Sequence, residues 1–333
     1  MFKILEKNKI PIWLMRQAGR HLSEYRKVRT ETDGFLDLCY NPSKACEVTM
    51  QPVERYNMDA AIIFSDILVL PDCLNWDVSF KKGTGPLLKQ FKSEEDLKTL
   101  KKPTSLKILK VYEAIEKVKK RLHKNKALIG FAGAPWTVAT YMIEGKGKQD
   151  FVSSKCFIYN KRNLFSELIS LLTERTIDHL SNQILAGANM VQLFDSWAGV
   201  ISSNDYDDFV ITPTKKIVKK IKAKFPDVKF AGFPRGSGFN YERYIEKTNI
   251  DIIGVDQFVP LEKMKKWKEH LIVQGNLDPV LLLSENKNTI KEEVDKIINC
   301  LGGGNFILNL GHGVLPQTPV ENVKFLVDYV KNL

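Results

Sequence analysis

An arginine-rich stretch near the N-terminus, residues 11–29, is the part of the sequence with the clearest chemical meaning. Its four arginines are Arg16, Arg20, Arg26 and Arg29. A guanidinium can bind a carboxylate or a phosphate through two parallel hydrogen bonds, whereas a lysine offers a mobile point charge. The stretch therefore indicates a site for a multiply anionic partner, although a surface helix with solvated arginines has the same pattern.

One aspartate, one histidine and one tyrosine are further candidates for chemistry. Asp66 lies between the apolar runs Ala60–Phe64 and Ile67–Leu70, so its carboxylate stands among apolar residues. Removing an ionised carboxylate from water is costly unless partners offset the loss, so Asp66 needs arginines or ligand N–H groups as donors. His312 lies between two glycines that let a ligand approach, but a loop histidine bonded to a carbonyl would have the same neighbours. Tyr141 could donate its hydroxyl or be a buried residue of a helix.

The sequence lacks the motifs of several kinds of functional site. The five histidines are scattered and show no zinc-ligand spacing. The sequence contains no P-loop, no G-x-G-x-x-G after a strand and no nucleophile elbow. The residues alone thus predict a site without metal or organic cofactor, which binds a polyanion through arginine.

The net charge of +11 raises the question of a nucleic-acid partner. Most of the excess is local, because the segment Lys81–Lys126 carries 15 Lys and Arg against 5 Asp and Glu. The segment has few aromatic residues, so it lacks the stacking surfaces of single-strand binders and any groove-reading motif. We interpret it as a solvated face and predict no nucleic-acid partner.

The chain also lacks the signals of membrane and secreted proteins. No apolar run approaches the ~20 residues that span a bilayer, and the N-terminus has no uninterrupted apolar core of a signal peptide. The five cysteines are widely spread and odd in number, which favours free core thiols in a reducing compartment. We therefore expect a cytoplasmic protein without membrane contact. The cysteines are Cys39, Cys46, Cys73, Cys156 and Cys300.

Short apolar runs alternate with amphipathic segments along the chain, which predicts a parallel α/β sheet with both faces covered. The predicted strands are Ala60–Ser65, Ala127–Phe131, Met190–Phe194, Phe230–Phe233, Ile252–Val255, Leu271–Gln274 and Phe306–Leu310. Predicted helices include one that ends before Gly187, and others over Thr212–Phe225, Ile290–Ile298 and Val320–Val330. The pattern is typical of a (β/α)8 barrel or a doubly wound sheet. Trp76–Phe80 and Ile12–Met15 are both candidates for an eighth strand, and the absence of a linker favours one domain.

Polar and small residues follow most of the predicted strands. In parallel α/β folds ligands bind at this edge, because the loops after the strands converge there. An aspartate after a strand can equally cap the next helix. We favour capping for Asp195, Asp256 and Asp278, and a functional role for Asp66 and His312.

Six separated segments resemble the uroporphyrinogen decarboxylase family, and the resemblance runs in order from about Pro11 to the last helix. The segments are WLMRQAGR (13–20), FSDIL (64–68), GAPWTVATYMIEG (133–145), FDSWAG (194–199), GNLDP (275–279) and NLGHGVLPQTP (309–319). The sequence departs from the family at His21 and Ser23, where an aromatic residue and a proline are usual. It also departs at Gln257 and Phe258, where the family usually has a tryptophan nearby.

The resemblance implies a distorted, single-domain (β/α)8 barrel over residues 1–333, with segment 11–29 at the active-site cleft. It implies a homodimer and the removal of four acetate carboxyls as CO2 from uroporphyrinogen III, giving coproporphyrinogen III without metal or cofactor. This substrate is a tetrapyrrole with eight carboxylates and four inward-pointing pyrrole N–H groups. Such a ligand fits the arginines and the isolated aspartate.

The resemblance also implies roles for individual residues. Asp66 would accept the pyrrole N–H groups and stabilise positive charge on the ring, and Arg16 would bind carboxylates and assist proton delivery. The other implied substrate-binding residues are Gln17, Ala18, Gly19, Arg20, Arg29, Ile62, Phe64, Tyr141, Phe194, Ser196 and His312.

Two other functions remain open at this point. A corrinoid-linked methyltransferase would share the barrel, but it would need a zinc site with His and Cys ligands that the sequence does not indicate. A non-catalytic tetrapyrrole carrier would need the arginines but not an aspartate in apolar surroundings. Release of CO2 from uroporphyrinogen would separate an enzyme from a carrier.

Overall fold

The structure is a computed structural model that describes residues 3, 5, 9–81, 83–102, 104–147 and 150–333. It is an α/β fold built on a curled parallel sheet of seven strands, ordered β1-β4-β5-β6-β7-β8-β9. The strands of this sheet are β1 (Ala60–Ile62), β4 (Ala127–Gly133), β5 (Met190–Asp195), β6 (Lys229–Pro234), β7 (Ile252–Gly254), β8 (Ile272–Leu277) and β9 (Phe306–Leu310). Each predicted strand is present, with ends shifted by up to three residues.

The apolar strands are buried on both faces, as expected for a parallel sheet covered by helices. Alternate residues of the strands, such as Ala60 and Ile62 on β1, face the inside of the curl and form a separate inner cluster. The larger cluster fills the space between the outer face of the sheet and the helices. The inner cluster comprises Leu5, Trp13, Met15, Ala60, Ile62, Ala127, Ile129, Met190, Ala231, Phe233, Ile252 and Ile307.

The segment Pro11–Gln17 lies between β9 and β1. The Leu308 N–H donates to the Pro11 carbonyl at 2.9 Å, and Ile12 forms a parallel bridge with Leu308. On its other side, the Asp59 N–H donates to the Ile12 carbonyl at 2.9 Å. Of the two candidates for an eighth strand, Ile12–Met15 is thus the one that adjoins the parallel sheet.

The other candidate, Trp76–Phe80, was wrong. Residues Val78–Lys81 form β2, which pairs antiparallel with β3 (Gly85–Leu88) in a two-stranded ribbon apart from the main sheet. Half-buried and exposed residues alternate along β2, so the ribbon has one face on the protein and one in solvent.

Helices cover the outside of the sheet, and their ends carry the expected signals. The long helix Arg162–Leu185 ends just before Gly187, whose φ of 121° few other residues adopt readily. The predicted C-terminal helices are present as Thr212–Lys224, Lys287–Leu301 and Val320–Lys331. The remaining α-helices are Ser23–Thr30, Phe35–Cys39, Pro42–Tyr56, Val69–Cys73, Glu94–Lys101, Leu109–Arg121, Pro135–Glu144, Val152–Asn160, Ser203–Tyr206, Asn240–Thr248 and Leu261–Trp267. Short 3-10 turns cover Leu106–Ile108, Ala198–Val200 and Pro279–Leu283, and a π turn covers Asp207–Ile211.

All five cysteines are free thiols, but the expectation that they belong to the core was only partly right. Cys39, Cys46 and Cys73 are buried, whereas Cys156 is exposed and Cys300 half-buried. No helix in the described parts of the chain is both long enough and apolar enough to cross a membrane.

The lysine-rich segment 81–126, of which residues 82 and 103 lie outside the described parts, includes the helices Glu94–Lys101 and Leu109–Arg121. Several of its cations pair with nearby acids on the surface, such as Lys98 with Glu95 at 3.1 Å. This arrangement fits a solvated face.

Candidate active site

The carboxyl ends of the strands form an apolar floor above the inner cluster. Phe194 at the end of β5 lies between Phe131 of β4 and Phe233 of β6, with ring centroids 5.5 Å and 6.0 Å away. Phe131 and Phe194 are half-buried, so this layer is partly open at the mouth of the curl, and Ile62 is on the same inner face. Phe64 differs from the expected wall residues because it packs in the outer cluster.

Asp66 lies just after β1 and is half-buried. Its Oδ1 accepts the Leu68 N–H at 2.9 Å, the only hydrogen bond to this carboxylate from the described residues. Burial raises the pKa of Asp66 from 3.8 to about 6, while the Leu68 N–H and the positive charge of Arg16 partly oppose the rise. The arginines do not form an ion pair with Asp66, so the carboxylate retains acceptor capacity for a ligand.

Arg16 occupies a backbone conformation that is uncommon for a non-glycine residue, with φ at 59°. Its neighbours hold this conformation: the Met15 carbonyl accepts the Val314 N–H at 2.9 Å, and the Met15 N–H donates to the Asn309 side chain at 3.0 Å. The Arg16 side chain passes directly over Gly313, where a Cβ would come within 2.3 Å of its Cδ.

This placement brings Arg16 close to three other candidate residues. Its charge lowers the pKa values of Asp66, Tyr141 and His312 relative to what burial alone would give. Such influence requires proximity, and Arg16 itself is exposed at this position. The structure therefore groups Arg16, Asp66, Tyr141 and His312 at one site.

After Arg16, some groups of the segment 11–29 hold the loop in place, whereas others are free to bind a ligand. The Gln17 side chain is buried and donates to the Ala60 carbonyl at 3.0 Å, and its backbone N–H donates to the Leu14 carbonyl. The N–H groups of Ala18 and Gly19, by contrast, donate to no acceptor in the described structure. Gln17 thus positions the loop, whereas its two successors keep donors for a ligand.

The arginines after Arg16 have different surroundings. Arg20 is exposed, and its charge acts on the hydroxyl of Tyr25, whose ring contacts Phe64 at 5.6 Å. Arg26 donates to two backbone carbonyls, so it stabilises its own loop. Arg29 donates to the Thr32 hydroxyl at 3.1 Å.

His312 lies over the apolar floor. Its ring stacks on Phe233 with centroids 6.5 Å apart and an interplanar angle of 13°. Burial, together with the charges of Arg16 and Arg235, lowers the pKa of His312 from 6.5 to about 3. The imidazole is therefore neutral at neutral pH, and its buried Nδ1 has no hydrogen-bond partner among the described residues.

Two predicted carboxylate-binding hydroxyls lie near the same floor. Tyr141 is half-buried, its ring contacts Trp197 at 6.0 Å, and its pKa is raised by burial and by the negative charge of Asp66. Ser196 follows β5 and is half-buried. Its hydroxyl forms no hydrogen bond within the described part of the chain, so it is able to bind a ligand.

Arg235 is a cleft residue that the sequence analysis missed. It follows β6 directly and lies close enough to His312 to lower the pKa of that imidazole. The available signal was an arginine in the stretch FPRGSG (233–238), immediately after a predicted strand.

The three aspartates expected to cap the next helix behave differently. Asp278 does so, because its Oδ1 accepts the Val280 N–H at 2.9 Å at the start of the turn Pro279–Leu283. Asp195 instead accepts the Thr137 hydroxyl, near the start of the helix that follows β4. Asp256 joins two loops by accepting the Gly236 N–H at 2.6 Å and the Tyr241 hydroxyl at 3.0 Å. Both carboxylates are fully buried tertiary contacts.

Comparison with known proteins identifies the family of the chain. The family model described as uroporphyrinogen decarboxylase matches residues 3–333. The uroporphyrinogen decarboxylase of Rickettsia africae (strain ESF-5) is 58% identical over 97% of this chain and 93% of its own length. That of Rickettsia bellii (strain RML369-C) is 57% identical over 97% of this chain and 95% of its own length.

Solved structures of low sequence identity share the fold. A methyltransferase from Methanosarcina mazei superposes with a TM-score of 0.77 at 18% identity, covering 97% of this chain and 94% of its own. A B12-independent methionine synthase from Shewanella sp. W3-18-1 has a TM-score of 0.60 at 10% identity, covering 87% of this chain and 88% of its own.

These structural similarities concern the fold alone, whereas the sequence matches extend over nearly all of the chain and of its relatives. The sequence matches include the segments that carry Arg16, Asp66 and His312. The chain belongs to the uroporphyrinogen decarboxylase family.

Proposed function

We propose that this decarboxylase removes the four acetate carboxyls of uroporphyrinogen III as CO2 to give coproporphyrinogen III, without a metal or an organic cofactor. The observation that carries the proposal is the state of Asp66. Its carboxylate accepts one protein hydrogen bond at 2.9 Å, lies beside an apolar floor, and has Arg16 nearby without an ion pair. A carboxylate with spare acceptor capacity suits the converging N–H groups of a reduced tetrapyrrole.

In the proposed reaction the pyrrole ring itself is the electron sink. A proton adds to a ring carbon next to the acetate-bearing carbon, and the positive charge spreads onto the ring nitrogen. The bond between the CH2 group and the carboxylate then breaks, CO2 leaves, and its electron pair neutralises the ring as an exocyclic enamine. A second proton completes the methyl group, and loss of the first proton restores the pyrrole.

Asp66 stabilises the cation in this sequence because it is a fixed negative charge in poorly solvated surroundings, where it needs no rearrangement. It keeps its negative charge at neutral pH, since its pKa is about 6. Arg16, near Asp66, is the proposed assistant in proton delivery, and Gln17 positions it through the buried contacts of the loop.

The substrate carboxylates are bound around this centre by positive charge and by free donors. Arg20 is exposed and Arg29 half-buried, so both are available at the rim, and the N–H groups of Ala18 and Gly19 supplement them. Apolar contact with the macrocycle comes from Ile62 and Phe194, with Phe64 further out. The proposed polar contacts are Arg16, Ala18, Gly19, Arg20, Arg29, Tyr141, Ser196 and His312.

The proposal includes a single (β/α)8 barrel domain spanning 1–333, with segment 11–29 at its cleft. It is supported by the seven parallel strands and by the backbone hydrogen bonds that Pro11, Ile12 and their neighbours make to both edges of the sheet. A cytoplasmic location is supported by the five free thiols.

We also propose a homodimer with its two clefts facing each other. Phe239, Phe258 and Val280 support this arrangement, because they follow β6, β7 and β8 and remain 101%, 69% and 58% exposed. Exposed apolar residues at one edge favour association. Light scattering of the purified chain at micromolar concentration should give twice the mass of 38.0 kDa, and a monomer would contradict the dimer.

The decisive experiment is an anaerobic assay with uroporphyrinogen III in which released CO2 and the carboxyl groups of the product are both counted. We expect four CO2 per macrocycle and a tetracarboxylate product. Binding of the substrate without release of CO2 would instead indicate a tetrapyrrole carrier.

A further inference from the structure

The backbone at Arg235 is held from both sides. On the β5 side, the Arg235 N–H donates to the Asp195 carbonyl at 3.1 Å, and the Gly199 N–H donates to the Arg235 carbonyl at 3.0 Å. On the β7 side, the next residue, Gly236, donates to the buried Asp256 carboxylate at 2.6 Å. The chain approaches so closely here that a Cβ on Gly199 would come within 2.2 Å of the Gly236 carbonyl oxygen. The position of Arg235 is therefore fixed by three strands.

The Arg235 side chain, in contrast, has no hydrogen-bond or ion-pair partner among the described residues. It is half-buried, forms no ion pair with any described acid, and its Nε is buried without a hydrogen-bond acceptor. The carboxylate of Asp256, which accepts the N–H of the next residue, Gly236, is already engaged by Tyr241 and Phe258 as well. A buried donor of a charged group normally finds an acceptor, so a missing one points to a ligand.

Two other buried polar atoms without partners lie around the same opening. One is Nδ1 of His312, which lies close enough to both Arg16 and Arg235 to respond to their charges. The other is Oε1 of Gln257, whose residue packs so tightly on Gly311 that a Cβ there would come within 2.3 Å of the Gln257 N. Arg235, Gln257 and His312 thus bring unused hydrogen-bonding capacity to the same opening, from the ends of β6, β7 and β9.

Arg235 reaches this opening from the strand opposite the N-terminal segment. The segment Pro11–Gln17 lies between β9 and β1, and β6 is separated from it by three strands in either direction around the curl. A macrocycle with carboxylates on all four pyrrole rings presents anionic groups in opposite directions. Arginines on one side alone would leave the carboxylates on the other side without a cation.

We propose that Arg235, from the strand opposite the N-terminal segment, binds a peripheral carboxylate of the tetrapyrrole substrate, with Gln257 and His312 completing the subsite. This inference rests on the proposed function. It assigns a binding role and no proton transfer to Arg235, so its contribution is the same in the ground state and in the transition state.

The test compares Arg235→Gln with Arg235→Lys and with Arg121→Gln as a matched control. Arg121 is an exposed arginine on the helix Leu109–Arg121, paired with Glu54 on the surface, so its replacement changes net charge equally and leaves the cleft intact. Steady-state decarboxylation gives KM and kcat. Fluorescence titration with uroporphyrin, the oxidised form that is not turned over, gives the affinity independently of activity. Circular dichroism and thermal melting establish that each variant folds.

For Arg235→Gln we expect a KM and a porphyrin Kd raised about ten- to a hundredfold, the range of a hydrogen bond to a charged group, with kcat nearly unchanged. Arg235→Lys should recover part of the affinity because it keeps the charge but loses the paired geometry. Arg121→Gln should match the wild type.

Unchanged KM and Kd in a folded Arg235→Gln variant would overturn the inference, as would a loss confined to kcat. Failure of the proposed function looks different. In that case the wild type would release no CO2 from uroporphyrinogen, while the porphyrin titration would still report whether Arg235 binds a carboxylated macrocycle.

Discussion

Two carboxylates at the ends of strands, Asp66 after β1 and Asp195 at the end of β5, have similar sequence surroundings and opposite environments. Each follows a phenylalanine within two residues, and burial raises the pKa of each, to about 6 for Asp66 and about 7 for Asp195. Asp66 is half-exposed to the cleft, whereas Asp195 is fully buried. A raised pKa therefore marks both sites, and access to a ligand is what separates them.

The hydrogen bonds explain the difference. Asp195 accepts from Thr137, whose hydroxyl also receives the Trp197 N–H at 3.1 Å, so it joins β5 to the helix after β4. Asp66 accepts only the local N–H of Leu68 among the described donors. One carboxylate joins two elements of the fold, and the other keeps acceptor capacity for a ligand.

Replacing each aspartate by asparagine should distinguish the two sites most clearly. We expect Asp66→Asn to lower kcat at least about a hundredfold, the usual cost of removing a preorganised charge from a transition state. Asp195→Asn keeps an acceptor for Thr137 and should retain most of the turnover. Anaerobic CO2 release measures both, and thermal melting establishes that both fold. Near-normal turnover in Asp66→Asn would contradict the assignment.

The pH dependence of the wild type should report Asp66. If the ionised carboxylate is required, kcat/KM falls about tenfold per pH unit once the pH drops below the pKa of about 6 in the free enzyme. The residual activity of Asp66→Asn provides the control, because it should lack this acid limb. An identical limb in both proteins would mean that a different group titrates.

Two arginine variants should separate charge near Asp66 from binding at the rim. Arg16→Gln removes the cation that lowers the pKa of Asp66, so the acid limb should move to higher pH. Arg20→Ala should weaken porphyrin binding about tenfold or less through loss of a rim contact, without moving the limb. Titration with uroporphyrin and the pH profile of kcat/KM distinguish the two effects. Equal shifts of the limb would contradict this division of roles.

The smallest effects concern stability. A carboxyl whose folded pKa is raised binds its proton more tightly in the folded state, so its contribution is fully present below pH 3.8 and is lost as pH rises through the folded pKa. The contribution of Asp195 to the free energy of unfolding should therefore fall by at most about 1.4 kcal/mol per pH unit. The fall should be complete near pH 7.

The free energy of unfolding, measured by urea denaturation from pH 5 to pH 8, tests this point. Asp66 stops contributing to the slope near pH 6, and Asp195 near pH 7. Between pH 6 and pH 7, Asp195→Asn should thus flatten the slope and Asp66→Asn should not. The same slope in wild type and Asp195→Asn would show that this carboxyl is not protonated in the folded state.

Local sequence patterns were enough to predict the elements. All seven strands of the sheet appeared where the continuous apolar runs predicted them, because a strand buried on both faces needs such a run. The first strand ended three residues early. Ile63 still donates to the Ile129 carbonyl at 3.0 Å, but the Thr49 hydroxyl accepts the Phe64 N–H at 2.9 Å in place of a strand partner.

Contacts between distant residues were the part that periodicity could not supply. Ile12 joins the sheet through Leu308, nearly three hundred residues later, while the more strand-like Val78–Lys81 forms a separate ribbon. The cleft likewise combines Arg16 with His312 and Arg235. Arg235 follows a predicted strand, but its local sequence does not show which distant residues it meets.

The sequence by itself determined the strands, the family and the identity of Asp66 as a carboxylate in apolar surroundings, because each depends on residue types at short spacing. The tertiary structure decided which carboxylate faces the cleft and which arginines meet there. Burial and electrostatic distance arise only when strands from the whole chain come together at one edge of the sheet.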